Sequence, residues 1–362
     1  MYLAVLLFAA LVSVAAAGLL AVEAFRFIET RHERRRTWDE WNPRTLLIVP
    51  CKGTDIGLEE NLRSLMSQNY SNYETLAVVD SEQDAAVQFI VRAGMRFMVS
   101  DADCQRCSGK VKALSSALQK FNDFNVYVFA DSDASYSSDW LSKMVAPLSS
   151  ENVGLTTTFA HFVPEGGFWS YVKAVWGSVG LSMMESRITR FAWGGSLAFR
   201  SEMLDGENMR YFSESVSDDG ALTNIARKLG KEIVYIGPGF VSVRCDDSFS
   251  QFLEWSNRQT ALALHMDNML FAIGFTYFAS RALVLVSSIA LSIAVSPFFL
   301  LLLLPEALGF SKFVRSGQRG GMLGALLYFT VDFFYLSNIL FSRKRQTILW
   351  RGRRYSLSPH HP

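Results

Sequence analysis

Residues 2–22 carry no charged side chain, and at about 1.5 Å per residue a helix of that length matches a hydrocarbon core of roughly 30 Å. A cleaved signal peptide is the rival reading, because Ala15-Ala16-Ala17 offers small residues at a cleavage spacing. Yet no basic residue precedes the run, and it continues past that point, so residues 1–23 read as a retained anchor. Arg26, Arg31, Arg34, Arg35 and Arg36 follow in a basic juxtamembrane linker, residues 24–43. Positive charge flanking a span marks the cytoplasmic side, which puts the N-terminus outside.

The other end repeats the pattern. Residues 282–304 are uncharged, include a tolerable Pro297 and stop at Pro305, while residues 322–341 are apolar apart from Asp332. Both read as spans, separated by an outer loop, residues 305–321, that holds Lys312, Arg315 and Arg319. Asp332 is either functional or a packing residue. Residues 342–362 form a basic cytoplasmic tail with Arg343-Lys344-Arg345, Arg351, Arg353 and Arg354. Residues 261–281 are apolar but interrupted by His265, Asp267 and Asn268, which suits an interfacial amphipathic helix better than another span. The chain thus reads as an integral membrane protein with a cytoplasmic middle domain at residues 44–260. With 35 basic against 34 acidic residues in 362, it has no charge excess for nucleic acid. Half of the residues are hydrophobic, 19% are charged and the mean hydropathy is +0.16, too apolar for disorder.

Within residues 44–260, short apolar runs at 44–50, 74–79 and 126–130 end in Pro50, Asp80 and Asp131, and Leu58, Leu62 and Leu65 recur at helical spacing between the first two. Alternating strands and helices predict an α/β domain with a doubly wound, mostly parallel sheet, whose ligands bind beyond the strand carboxyl ends. Three carboxylate groups follow: Asp80 and Asp84 beyond the second run, Asp131-Ser132-Asp133 beyond the third, and Asp218-Asp219 opening a helical stretch. A polar turn accounts for the second group and a helix N-terminus for the third without any chemistry. Alternatively, a D-x-D beside a buried strand supplies hard oxygen ligands for Mg²⁺ or Mn²⁺ carrying a diphosphate. No G-x-G-x-x-G follows the first strand and no P-loop occurs, which removes the main support for dinucleotide and P-loop readings. Cys104-x-x-Cys107 has no second ligand pair for zinc, and with Cys51 and Cys245 reads as thiol in a reducing compartment. Trp169, Trp176 and His161 are given structural places.

Several spaced motifs carry a resemblance. Pro50-Cys51-Lys52-Gly53-Thr54-Asp55 with Asn61-Leu62, Tyr73-Glu74 before Asp80 to Ala86, Gly109-Lys110 with Ala113-Leu114, and Asp131-Ser132-Asp133 come first. Trp193-Gly194-Gly195-Ser196 with Phe199-Arg200, Asp218-Asp219, and Trp350-Arg351-Gly352-Arg353 with Tyr355 complete the set. Together they resemble the inverting nucleotide-sugar glycosyltransferases of the GT-A fold, and most closely the ceramide glucosyltransferase-like branch. Two departures stand out. Trp255-Ser256-Asn257-Arg258-Gln259 keeps the arginine of a (Q/R)-x-x-R-W motif but changes both outer residues, and Asp84-Ala85-Ala86 has alanine where a D-P-A motif has proline.

The resemblance implies a UDP-sugar donor, glucose favoured, and Mn²⁺ or Mg²⁺ held by Asp133 with Asp131. It implies donor contacts from Pro50, Lys52, Asp80 or Asp84, Lys110 and Asp131. Asp219 would be the base and Arg258 the cation on the departing diphosphate. Trp193, Gly194, Gly195, Asp218 and Trp255 would face the acceptor, a membrane lipid such as ceramide, diacylglycerol or a sterol-like alcohol. A processive polysaccharide synthase and a non-enzymatic membrane scaffold are the competing functions.

Overall fold

A computed structural model describes residues 2–33, 35–266, 269–315 and 321–357. Arg34, Asp267, Asn268 and Arg319, used above to place membrane boundaries, lie outside the described residues, as does the end of the tail beyond 357.

The main sheet follows from where its strands bury their side chains. Strand β1 (Thr45–Pro50) puts Leu47 and Val49 into one apolar layer and Leu46 and Ile48 into the opposite one. Alternate residues of a strand point to opposite faces, so a strand covered on both sides must be apolar throughout. Burying each such side chain is worth about 1.5–3 kcal/mol. Helix α2 (Leu58–Met66) returns the chain to β2 (Tyr73–Val79), α3 (Val87–Ala93) leads to β3 (Phe97–Val99), and α4 (Gly109–Lys120) crosses back to β4 (Val126–Ala130). After β5 (Ala134–Tyr136) and α5 (Trp140–Val145) come β6 (Val153–Thr157), β7 (His161–Pro164), α6 (Phe168–Met184) and β8 (Ser196–Arg200). Then follow α7 (Gly206–Ser213), α8 (Asp218–Lys228), β9 (Glu232–Tyr235) and β10 (Val241–Cys245). The order is β3-β2-β1-β4-β8-β6-β9, with β8 antiparallel to both neighbours and the other pairs parallel. The expected mostly parallel α/β sheet is present. The winding reverses between β1 and β4, the crevice where ligands of open α/β sheets bind. A second sheet, β5-β10-β7, packs beside it.

The apolar ends are helical. Helix α1 (Tyr2–Glu33) runs 32 residues, well past the expected anchor limit at 23, because neither Gly nor Pro interrupts residues 19–42. Helix α9 (Phe249–Met266) precedes α10 (Met269–Ala294), and α11 (Leu304–Arg315) follows a 3₁₀ segment, Pro297–Leu303. Among the described residues, three helical stretches are long and apolar enough to cross a membrane: Tyr2–Glu33, Met269–Ala294 and Pro297–Arg315. Helices α12 (Gly321–Tyr328) and α13 (Val331–Ser342) qualify together but are bent by 60°. Strands β11 (Thr347–Trp350) and β12 (Arg353–Ser356) close the described chain as a hairpin.

These boundaries differ from those expected at 281/282 and 304/305. One helix, α10, runs through the first, and α11 occupies residues expected in an outer loop. The reason is a buried charge. Arg281, which stopped the apolar run in sequence, donates to both Glu306 oxygens (3.0 and 2.6 Å) and stands 3.3 Å from Asp332. Charge matched inside a helix bundle does not end a helix. Asp332 is thereby a partner in this cluster. Pro297 supplies the real break, since it lacks an N–H for the ladder.

Candidate functional site

The loops beyond β1, β2 and β4 meet at the crevice. Lys52 donates to Asp80 at 2.7 Å, joining the first two loops. Asp84 is used differently: its Oδ1 accepts from the backbone N–H of Gly53 (2.8 Å) and of Ala86 (2.9 Å), which holds both loops in shape. Pro50, Lys52 and Asp80 line the cavity described below, and Asp84 does not. Asp55 receives the Ser132 hydroxyl at 2.8 Å, tying the first loop to the D-x-D turn.

Behind that turn sits a half-buried cation. Lys110, in the first turn of α4, lies 2.7 Å from Asp131, 3.1 Å from Asp218 and 3.0 Å from the Gly194 carbonyl. Burial lowers the pKa of the ammonium, but Asp131 and Asp218 outweigh burial and hold it above its ordinary value. Lys110 therefore cross-links two of the predicted acidic groups. Burial, opposed by Lys110 and reinforced by Asp219 and Asp131, pushes the Asp218 carboxyl up to about 6. Burial together with Asp131 and Asp55 pushes Asp133 up to about 7.

That excess of negative charge around Asp133 is the local test for a cation, and a divalent ion fits it. Among the described residues no set of three His, Cys, Asp or Glu side chains forms a complete protein cage. A diphosphate-borne Mg²⁺ or Mn²⁺ needs only one or two carboxylates, the phosphates and water supplying the rest.

Asp219 sits in the first turn of α8, where Ser217 is the N-cap and its hydroxyl accepts from the Gly220 N–H at 3.1 Å. The expected N-terminal role is thus taken by Ser217. Asp219 Oδ1 accepts from the Ser217 hydroxyl and from the Gly220 N–H (2.7 Å), and Oδ2 accepts no hydrogen bond among the described residues. Asp219 lines the cavity, and Asp218 is buried behind it. The glycine turn supports this packing without reaching the cavity itself. A Cβ at Gly194 would lie 2.5 Å from Asp218 Oδ2 and 2.9 Å from Lys110 Nζ, and one at Gly195 would overlap the Trp193 ring. Neither glycine lines the cavity, whereas Trp193 does.

One cavity of about 1270 Å³ joins these parts. At one end lie Lys52, Asp80, Lys110, Asp131, Asp133, Asp219 and Arg258; at the other lie Gly18, Leu19 and Val22 of α1 with Leu270, Ile273 and Phe278 of α10. Arg258 pairs with Glu254 at 3.5 Å, and burial lowers its pKa. Trp255 packs on Phe162 and Trp176, with the Lys173 ammonium 4.9 Å from its ring centre.

The tail hairpin also enters the site, a contact that sequence reasoning missed. Arg351 donates to the Lys52 carbonyl at 2.9 Å and to Asp55 at 2.8 Å; Arg353 stands 3.1 Å from Asp80; the Gly109 N–H donates to the Tyr355 hydroxyl at 3.2 Å. Both ends of these contacts belonged to recognised motifs, but nothing in the sequence joins positions 299 residues apart. Cys104 and Cys107 are paired as a disulfide, whereas the sequence suggested free thiols; their three-residue separation brings the Cα atoms to 5.8 Å.

Residues 5–361 match the profile described as glycosyl transferase family 21. No curated protein matches the chain. Among solved structures, the mannosyltransferase PcManGT from Pyrobaculum calidifontis, in complex with GDP-Man and Mn²⁺, superposes with a TM-score of 0.52 at 18% identity, over 92% of this chain and 98% of that one. Glucosyl-3-phosphoglycerate synthase from Mycobacterium tuberculosis, in complex with phosphoglyceric acid, gives a TM-score of 0.42 at 17% identity, over 62% of this chain and 80% of that one.

Proposed function

The chain belongs to glycosyl transferase family 21, and from that membership we propose that it moves a hexose, glucose, from a UDP-sugar to the hydroxyl of a membrane lipid with inversion at the anomeric carbon. The acceptor class is ceramide-, diacylglycerol- or sterol-like. It is a hexosyltransferase; the donor nucleotide, the lipid and the stereochemistry are the proposal. One observation carries it: a single cavity connects Lys52 beyond β1 and the carboxylates beyond β2, β4 and at the start of α8 with the apolar faces of α1 and α10. A lipid alcohol can lie along the apolar part and bring its hydroxyl to Asp219, an arrangement that a wholly water-soluble acceptor would not require.

Asp80 and Lys52 hold the nucleoside side of the donor. Asp133 and Asp131 would hold Mn²⁺ or Mg²⁺, which when bound neutralises the diphosphate as it leaves. Asp219, oriented through Oδ1, accepts the lipid hydroxyl proton on Oδ2 as the new C–O bond forms and the bond to the diphosphate breaks. A carboxylate of reference pKa about 4 is a poor base toward a free alcohol, so the transfer is concerted and depends on position. Arg258 stabilises charge gathering on the diphosphate. Attack opposite the leaving group turns an α-linked donor into a β-linked product. By the flanking arginines, the catalytic domain and tail are on the cytoplasmic side.

The test is UDP release from UDP-glucose by protein in vesicles with and without a lipid alcohol. Release stimulated by the alcohol supports the proposal. Equal release with and without it, or formation of a water-soluble polymer, would contradict a lipid acceptor.

A further inference from the structure

The tail hairpin is built around a strained arginine. Trp350 pairs with Arg353, leaving Arg351 and Gly352 as a two-residue turn with φ of 48° and 76°. Positive φ at both positions is what such hairpins demand, and Asn-Gly or Asp-Gly is the usual choice. Arg351 is the one non-glycine residue with positive φ among the described residues. An ordinary L-residue is disfavoured there. The turn geometry alone would favour asparagine, so the guanidinium itself is the reason to look for a ligand.

Its surroundings say which ligand. The Arg351 side chain lines the cavity, 42% exposed. Its two hydrogen bonds, to Lys52 and Asp55, leave N–H donors of the fork unused. Its charge interacts with those of Asp133 and Asp131, and its partner Asp55 also holds Ser132 between them. Arg353 at Asp80 and Tyr355 at Gly109 brace the hairpin on two neighbouring elements. A cation held beside a D-x-D turn, with free planar donors, matches a diphosphate.

We propose that Arg351 is a donor-binding residue, carried into the site by the tail hairpin to bind the diphosphate of the nucleotide sugar beside Asp131 and Asp133. This rests on the donor reading above. The hairpin is then the closing wall of the donor site, and nucleotide exchange requires it to part from the first loop.

The test measures binding of UDP with Mn²⁺, and of uridine by competition, to the full-length protein in detergent. Arg351→Asn removes the guanidinium while favouring the turn, so the hairpin is retained. Arg354→Ala changes a neighbouring exposed arginine as a control. The expected result is UDP affinity lowered tenfold or more by Arg351→Asn, with uridine affinity unchanged and Arg354→Ala like wild type. Wild-type UDP affinity in Arg351→Asn, or equal loss of UDP and uridine, would overturn the proposal alone. A wild-type protein that does not bind UDP would overturn the donor reading and this proposal with it.

Discussion

At the residue scale, a few carboxylates of one chemical type have different work because their neighbours differ. Asp84 is bound to two backbone N–H groups, Asp218 to Lys110, and Asp219 keeps one oxygen free at the cavity wall. Asp219→Asn keeps that shape and removes the base. It is expected to lower transfer by about 10²-fold or more while UDP binding remains, as isothermal titration would show. Asp133 makes a second prediction. A carboxyl with a folded pKa of about 7, above an unfolded value near 4, binds its proton more tightly when folded. Its contribution to stability therefore falls as pH rises from about 4 to about 7, and the penalty is fully present above that. Asp133→Asn should raise the melting temperature of the nucleotide-free protein at pH 8, each ~1 kcal/mol being worth about 2–4 °C, with the gain vanishing below pH 4. Sequence alone could place Asp80, Asp84 and Asp133 beyond strands, because Asp after a buried apolar run ends the strand, and Asp218-Asp219 at the start of a helix. It left Asp80 and Asp84 equivalent, since the difference lies in backbone N–H groups that no residue letter records.

At the element scale, the catalytic domain is locked to α1 by ion pairs. Arg190, 1% exposed, forms a two-pronged pair with Glu33 at the end of α1, one arm at 2.8 Å, and also donates to the Met184 and Ile233 carbonyls. Removing one side of a buried pair strands the other charge, at a cost of about 3–5 kcal/mol. Arg190→Ala is thus expected to lower the detergent-phase melting temperature by several degrees, and Arg187→Ala, whose side chain is 47% exposed, by much less. Sheet strands were legible at this scale, because β1, β2 and β4 are apolar on both faces. The C-terminal helices were legible as apolar but not in their limits. Arg281 read as a boundary because its partners, Glu306 and Asp332, are distant in sequence and adjacent only when the helices pack. The antiparallel β8 had no sequence signal, since its direction depends on a long return from β7 through α6.

For the whole molecule, the decisive feature is continuity between an acidic crevice and an apolar cleft. Sequence placed the crevice in the middle domain and the apolar helices at both ends; only the fold joins them. Gly18 allows that continuity to be tested, since a Cβ there meets no atom within 4 Å. Gly18→Phe should fold normally, fill part of the cleft, raise the KM for the lipid tenfold or more and leave UDP binding intact. The most direct measurement follows label from UDP-[¹⁴C]glucose into the organic phase, with Mn²⁺ and vesicles containing ceramide, diacylglycerol or a sterol, beside Asp219→Asn. A β-linked glucolipid made by the wild type and absent from the variant is the predicted result. Label confined to a water-soluble polymer, to free glucose, or unmoved in every lipid would contradict a lipid glycosyltransferase.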